Sequence, residues 1–399
     1  MLSILSHLTG AGSRSVLTKS SLLRTLLQVP KHVRMTSTFH PPLEPTLRAA
    51  VAQLPSYIAG RSAESALTAA LASNESHFTP LPSVVEVIAA EGARIHKYPS
   101  MGAAESRDAI ARHFSVSAEE VAVGPGSSGV LQQIIAAVCD HGDEVIFAWR
   151  SFEAYPILVT VAGARPVPVP LLESEHHDLT AMANAVTERT RIVILCSPNN
   201  PTGVSIGAAE MEEFLSRVPP QVLVVVDEAY IEYQRSPDGL DSLELYRRYR
   251  NICILRTFSK AYGLAGLRVG YAIARPALAE GLRRTAIPFG VNRMAQRAAI
   301  ASLAAETEIQ VRTNDVADER RRVISSLQSC GWQVPDSEAN FYWLRVPDQV
   351  REQILAALSE ADILARGYQG DGVRISLADR KTNNRVLAVL SDRSRFGAR

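Results

Sequence analysis

Arg256-Thr257-Phe258-Ser259-Lys260-Ala261-Tyr262-Gly263-Leu264-Ala265-Gly266-Leu267-Arg268 follows directly on the apolar run Ile252 to Leu255. A short apolar run of this kind predicts a buried strand, and Lys260 then stands in the loop at its exit. Hydroxyls and glycines flank that lysine, and a second cation, Arg268, lies eight positions on. Such surroundings suit an amine that is partly desolvated and held near another positive charge. Both effects lower its pKa and make it a nucleophile toward carbonyls. A lone lysine in a loop is ordinarily a solvated surface group, so its neighbours decide the reading.

Two upstream segments end in the same manner. Arg191 to Cys196 leads into Ser197-Pro198-Asn199-Asn200-Pro201-Thr202-Gly203, and Val222 to Val226 leads into Asp227-Glu228-Ala229-Tyr230. The carboxyl ends of neighbouring parallel strands share one edge of an open sheet, which predicts a common rim carrying Asn200, Asp227, Tyr230 and Lys260. Either polar string alone is an ordinary turn or helix cap. Three in this order, 27 and then 33 residues apart from Asn200 to Asp227 to Lys260, are hard to assign to chance.

Strand-like runs at about 120 to 124, 144 to 148, 165 to 170, 191 to 196, 222 to 226, 252 to 256 and 269 to 274 are mostly separated by helical stretches. That alternation predicts a doubly wound α/β sheet. Pro166, Pro168 and Pro170 cannot donate to a central ladder and predict an edge or a crossover. Val121-Ala122-Val123-Gly124-Pro125-Gly126-Ser127-Ser128-Gly129 runs from a strand into the apolar helix Val130 to Cys139. Backbone N–H groups of Ser127, Ser128 and Gly129 would then face an anion at a helix N-terminus, with Thr257, Ser259 and Arg268 completing the cup. The glycine spacing is one residue short of the dinucleotide fingerprint.

Ala72-Ser73-Asn74-Glu75, Phe78 to Val84, Trp149-Arg150-Ser151-Phe152-Glu153-Ala154-Tyr155-Pro156 and Leu255 to Gly270 resemble the class I/II pyridoxal-phosphate-dependent aminotransferases. Within them the resemblance is to the histidinol-phosphate aminotransferase-like group, and most to the actinobacterial aromatic (phenylalanine) aminotransferases. It extends over about residues 54 to 395. It implies fold-type I: a large domain with a mostly parallel central sheet flanked by helices, and a smaller C-terminal α+β domain. It also implies pyridoxal 5'-phosphate, held covalently by Lys260, which then carries the proton at the substrate Cα. Asp227 would pair with the pyridine nitrogen, Asn200 and Tyr230 with the ring oxygen, and Phe152 would cover the ring face.

The same resemblance gives Arg374, in Asp371-Gly372-Val373-Arg374-Ile375-Ser376, the role of gripping the substrate carboxylate. The competing structural reading is an arginine on an edge strand paired with Asp371. Asn340 would assist at the site, and Tyr57 would face the substrate. Tyr98, in Lys97-Tyr98-Pro99, would reach the cofactor phosphate from the neighbouring subunit, implying a homodimer. The implied reaction moves the amino group between an aromatic amino acid, phenylalanine first, and a 2-oxo acid such as 2-oxoglutarate. Arg366, in Ile363-Leu364-Ala365-Arg366, resembles a phosphate-binding arginine and keeps histidinol phosphate open as the alternative. Asn74-Glu75-Ser76-His77 departs from the group's usual Asn-Glu-Asn-Pro, against a simple transfer of that specificity. A non-catalytic module has no use for the complete residue set, whereas a lyase on the same scaffold is not distinguishable in the sequence.

With 399 residues and a net charge of +1, the chain suits a large and a small domain and offers no basic stripe for nucleic acid. The expected organisation is an extension at residues 1–40, an arm at 41–80, the large domain at 81–287 and the small domain at 288–395. Arg283-Arg284 and Arg320-Arg321-Arg322 read as solvated helix faces. Cys139, Cys196, Cys253 and Cys330 read as buried free thiols of a reducing compartment, with no metal-binding spacing. No apolar segment approaches the ~20 residues of a membrane span. Residues 1–34 carry Arg14, Lys19, Arg24, Lys31 and Arg34 and no acid. A start assigned too far upstream, in a cytoplasmic protein, or a mitochondrial presequence would each produce that pattern.

Overall fold

Twelve strands are found in the described part of the computed structural model, which covers residues 45–54 and 68–397. They are β1 (Ala69–Ala70), β2 (Val121–Gly124), β3 (Glu144–Trp149), β4 (Arg165–Pro170), β5 (Thr190–Cys196) and β6 (Leu223–Asp227). Next come β7 (Ile252–Thr257), β8 (Gly270–Ile273), β9 (Phe341–Arg345), β10 (Ile363–Leu364), β11 (Arg366–Tyr368) and β12 (Gly372–Ser376). The principal sheet has the order β2-β8-β7-β6-β5-β3-β4. Its pairs are parallel from β7 to β4, while β8 runs antiparallel to both β7 and β2. All seven predicted runs are present.

The central strands β5, β6 and β7 are mostly apolar because both faces are covered. Ile252 and Ile254 of β7 and Val224 and Val226 of β6 join the core on one face. Cys253 and Leu255, with Val225, join the core on the other. Alternation of side chains along a strand thus feeds two cores, which is what parallel sheets require. Helices supply the covering layers, among them Gly126–Val138 and Pro276–Arg284 against the second core.

At the far edge, β4 pairs with β3 alone in this sheet. Arg165 N–H donates to the Asp143 carbonyl at 2.7 Å and Leu171 N–H to the Trp149 carbonyl at 3.0 Å, so odd-numbered positions face β3. Pro166, Pro168 and Pro170 occupy the alternate positions, on the outward side, as expected of an edge strand.

A smaller antiparallel sheet has the order β11-β12-β9, and β1 pairs with β10. β12 is therefore a central strand, and Asp371 pairs with Arg150, not with Arg374. The edge-strand reading of Arg374 is thereby corrected. Two further expectations change. Arg320 is 3% exposed, donating to Glu338 at 2.8 Å and to the carbonyls of Tyr233 and Ala339, so one member of that arginine run is a core residue. Arg283 also turns inward, to the carbonyls of Glu119 and Val121. Of the cysteines, Cys196 and Cys253 are buried, but Cys139 and Cys330 are only partly so. Tyr57 and residues 1–34 lie outside the described residues.

Candidate active site

β5, β6 and β7 end at one edge, in register: Cys196 lies beside Asp227, and Asp227 beside Leu255. Asp227 is itself the last residue of β6. Beyond β7 the chain turns through buried Phe258 and Ala261, with Gly263 N–H bonded to the Lys260 carbonyl and Leu264 N–H to that of Phe258. Gly263 adopts φ +68°, a left-handed conformation that suits glycine. The turn carries Lys260 into a cavity of about 540 Å³, also lined by Asn200, Asp227, Tyr230, Phe152 and Arg374.

Lys260 Nζ donates to the Ser73 carbonyl at 2.9 Å. Burial, and then the positive charges of Arg374 and Arg268, lower its pKa to about 7 against the pull of Glu75. The amine is therefore substantially neutral near neutral pH. Asp227 is 5% exposed, and burial raises its carboxyl to about 6. The Tyr155 hydroxyl donates to its Oδ2 at 2.6 Å, while its Oδ1 is buried without a hydrogen-bond partner. A buried carboxylate oxygen without a donor is costly, and a protonated heterocyclic nitrogen would satisfy it.

Arg268, at φ +55°, lays its guanidinium against the start of the helix Gly126–Val138. A Cβ on Gly126 would fall 2.5 Å from Arg268 Nη2, and one on Gly270 would fall 2.5 Å from the Ser127 backbone nitrogen. These glycines let β8, the helix start and the arginine close together. Arg268 Nη1 also donates to Ser259 Oγ at 3.3 Å, and Thr257 Oγ1 to Ser259 Oγ at 3.0 Å. Ser127, Ser128, Thr257, Ser259 and Arg268 all line the cavity, whereas Gly129 stands one step back, packed on Pro125.

At the opposite wall Arg374 donates through Nη1 to Asn200 Oδ1 and through Nη2 to the Ala72 carbonyl, leaving buried Nε without a partner. Arg366 lines the same cavity and donates to Glu153 Oε2 at 2.7 Å. Asn340 does not reach the cavity: its Nδ2 donates to the Asn74 carbonyl at 3.1 Å, so it stands behind another residue. Tyr98 is 78% exposed, stacked on Phe289 at 4.6 Å between ring centroids, and does not line the cavity.

Three side chains gain roles that the sequence reading did not assign. Tyr155 anchors Asp227 as described. Asn74, 1% exposed and at φ +55°, donates from Nδ2 to the Tyr230 hydroxyl at 3.0 Å and is held by Ser376. Tyr368 lies within 6 Å of the guanidinium carbons of Arg150, Arg366 and Arg374. An asparagine tolerates the left-handed region better than most residues, a local signal that Asn74 offered beside its place in the Ala72 to Glu75 string.

Residues 69–390 match the family Aminotransferase class I and II. The chain belongs to the class I and II aminotransferases. It is 47% identical over 347 residues to the aromatic amino acid aminotransferase of Streptomyces avermitilis, covering 86% of this chain and 96% of that protein. It is 50% identical over 346 residues to the protein of the same name from Rhodococcus opacus, covering 87% and 95%. Among solved structures, the histidinol-phosphate aminotransferase from Sinorhizobium meliloti in complex with pyridoxal-5'-phosphate aligns with a TM-score of 0.80 and 29% identity, covering 88% of this chain and 99% of that one. In an aminotransferase of this class the cofactor is pyridoxal 5'-phosphate, and the residues fit it. Lys260 offers a low-pKa amine for the aldehyde, Asp227 Oδ1 an unsatisfied acceptor for the ring nitrogen, and the Arg268 cup donors for the phosphate. No helix among the described residues is long and apolar enough to cross a membrane, and none of their acidic, histidine and cysteine side chains group to hold a metal ion.

Proposed function

We propose that this aminotransferase moves the amino group between an aromatic L-amino acid, phenylalanine first, and a 2-oxo acid such as 2-oxoglutarate. The observation that carries the reading is the convergence of Lys260, Asp227 and Arg374 on one cavity, in a chain 47% to 50% identical to proteins named aromatic amino acid aminotransferase. When bound, pyridoxal 5'-phosphate supplies an electron sink for charge developing at the substrate Cα. Asp227 keeps the ring nitrogen protonated, and Tyr155 holds that carboxylate in place. Lys260 Nζ, its pKa lowered to about 7, would hold and move the proton at the substrate Cα. Arg374 grips the carboxylate common to both substrates and so fixes which bond at Cα faces the lysine.

Arg366 favours a second reading, histidinol phosphate, because it places a cation in the cavity and because a solved structure of that name resembles the chain. Its ion pair with Glu153 already offsets its charge, which supports the aromatic reading. The deciding measurement is kcat/KM for phenylalanine, tyrosine, histidinol phosphate and aspartate with 2-oxoglutarate. A preference of a hundredfold or more for histidinol phosphate overturns the aromatic assignment. We further assign the protein to the cytoplasm and to a homodimer, with Tyr98 acting across the interface, and place the passage between large and small domains at residues 287–288.

A further inference from the structure

A second cavity, of about 570 Å³, lies behind the catalytic one and shares no lining residue with it. The same chain segments build both. Along β7, Thr257 serves the catalytic cavity and Arg256 the rear one; past β6, Tyr230 serves the first and Glu232 the second. Side chains that alternate along a strand reach opposite faces, so the two cavities sit back to back.

Its polar groups are unbalanced. Glu232 Oε2 and Gln234 Oε1 are both buried acceptors without a hydrogen-bond partner. Ser302, 0% exposed, has an Oγ with no partner either. The cations that line the cavity are already engaged. Arg256 donates to Glu228 Oε2 at 2.8 Å and packs over the Phe114 ring. Arg235 is spread over Asn314, Thr313 and the carbonyls of Glu232 and Gln234. Glu306 lies 3.9 Å from His113, whose imidazole burial holds toward the neutral form. With Arg256 matched by Glu228, the lining carries two carboxylates, Glu232 and Glu306, against one arginine. Burial raises the Glu232 carboxyl to about 7, against the pull of the Arg256 charge, which Glu228 already engages. Phe114, Leu303 and Ile309 supply apolar walls.

We propose that this rear cavity is a second binding site, for a small organic monocation whose N–H donors meet Glu232 and Gln234 and whose apolar body lies against Phe114 and Leu303. Buried acceptors without donors call for a donor ligand, and a planar amidinium matches a carboxylate better than a compact ammonium does. The proposal is independent of the amino-acid substrate assigned above.

The test uses the cofactor-loaded protein and benzamidinium, which presents that fork on a flat ring and does not condense with the cofactor aldehyde as a primary amine would. Calorimetry should show saturable binding in wild type, at least tenfold weaker in Glu232→Gln, and undiminished in Arg374→Lys, which alters only the catalytic cavity. Neutral benzamide should bind at least tenfold more weakly than benzamidinium. Ser302→Met, which fills the cavity, should abolish binding. Should that variant unfold, the Glu232→Gln comparison and a benzamidinium-soaked crystal decide the matter. Absence of binding in wild type, equal affinity in Glu232→Gln, loss in Arg374→Lys, or density for the ligand only elsewhere overturns the proposal.

Discussion

Arg366 and Arg374 stand directly opposite each other on the antiparallel strands β11 and β12, and both line the catalytic cavity. Like charges so placed repel, and the two side chains resolve the repulsion differently. Arg366 has the Glu153 carboxylate, whereas the hydrogen bonds of Arg374 go to neutral acceptors, Asn200 and the Ala72 carbonyl. Arg374 thus retains an uncompensated charge in a buried place. Its replacement by Lys removes the planar fork, and kcat/KM should fall by about 100-fold or more, roughly 3 kcal/mol, for amino donor and 2-oxo acid alike. Rapid-mixing measurement of each half-reaction checks this; a loss confined to one of them contradicts the role.

Lys260 governs the pH response of cofactor loading. Only its neutral amine attacks an aldehyde, and burial with the nearby arginines places its pKa at about 7. Raising pH through 7 should therefore raise the rate at which apoprotein combines with pyridoxal 5'-phosphate, with a plateau above. An unperturbed lysine would keep rising toward pH ~10. Arg374→Gln removes one of the lowering charges and should move the midpoint upward. Borohydride reduction and peptide mapping of the wild type should place the label on Lys260; a label elsewhere contradicts the assignment.

Tyr155→Phe removes the 2.6 Å donor to Asp227 Oδ2. The hydrogen bond favours the charged carboxylate, so its loss should raise the Asp227 pKa further and weaken its hold on the ring nitrogen. A bond to a charged group contributes about 1.5–3 kcal/mol, and kcat should fall roughly tenfold or more with little change in KM. Unchanged turnover in this variant rules out the supporting role.

Arg320 is a matter of stability, not catalysis. Replacing it with Ala takes the side-chain donor from two buried carbonyls and leaves Glu338 Oε2 with the Arg235 backbone N–H but no cation. Breaking a buried pair in this one-sided way costs about 3–5 kcal/mol. Urea unfolding should show that loss, and Arg321→Ala, on the exposed side of the same helix, should show almost none.

Tyr98 is exposed beside Phe289, and its proposed role lies across a subunit interface. Lys260→Ala chains mixed and refolded with Tyr98→Ala chains should recover activity that neither parent has. The mixed dimer then holds one site with an intact lysine and an intact partner tyrosine. Full activity of a strictly monomeric protein would dismiss the idea.

The rim of Asn200, Asp227, Tyr230 and Lys260 was legible because each follows a continuous apolar run, and strand ends of a parallel sheet meet without further information. Asn74 was not assigned, since it meets Tyr230 across 156 positions and through a left-handed backbone that no local pattern demands. Tyr155 was hidden likewise, its partner Asp227 lying 72 positions away. Arg320 was misjudged because three consecutive arginines look alike in a string. On a helix, successive residues step by about 100°, so one can face inward while its neighbours face water. The cross-strand placement of Arg366 against Arg374 required the register of β11 on β12, which depends on the short turn between them.

The three outward prolines of β4 also bear on how the protein behaves at high concentration. An unprotected sheet edge is a template on which another chain can add strands and seed aggregates. At Pro166, Pro168 and Pro170 the outward positions carry no N–H at all, so an incoming strand would meet acceptors without alternate donors. The sheet is in this way chemically terminated on that side. Replacing the prolines by valine would leave the fold nearly intact while opening a path to fibrous association.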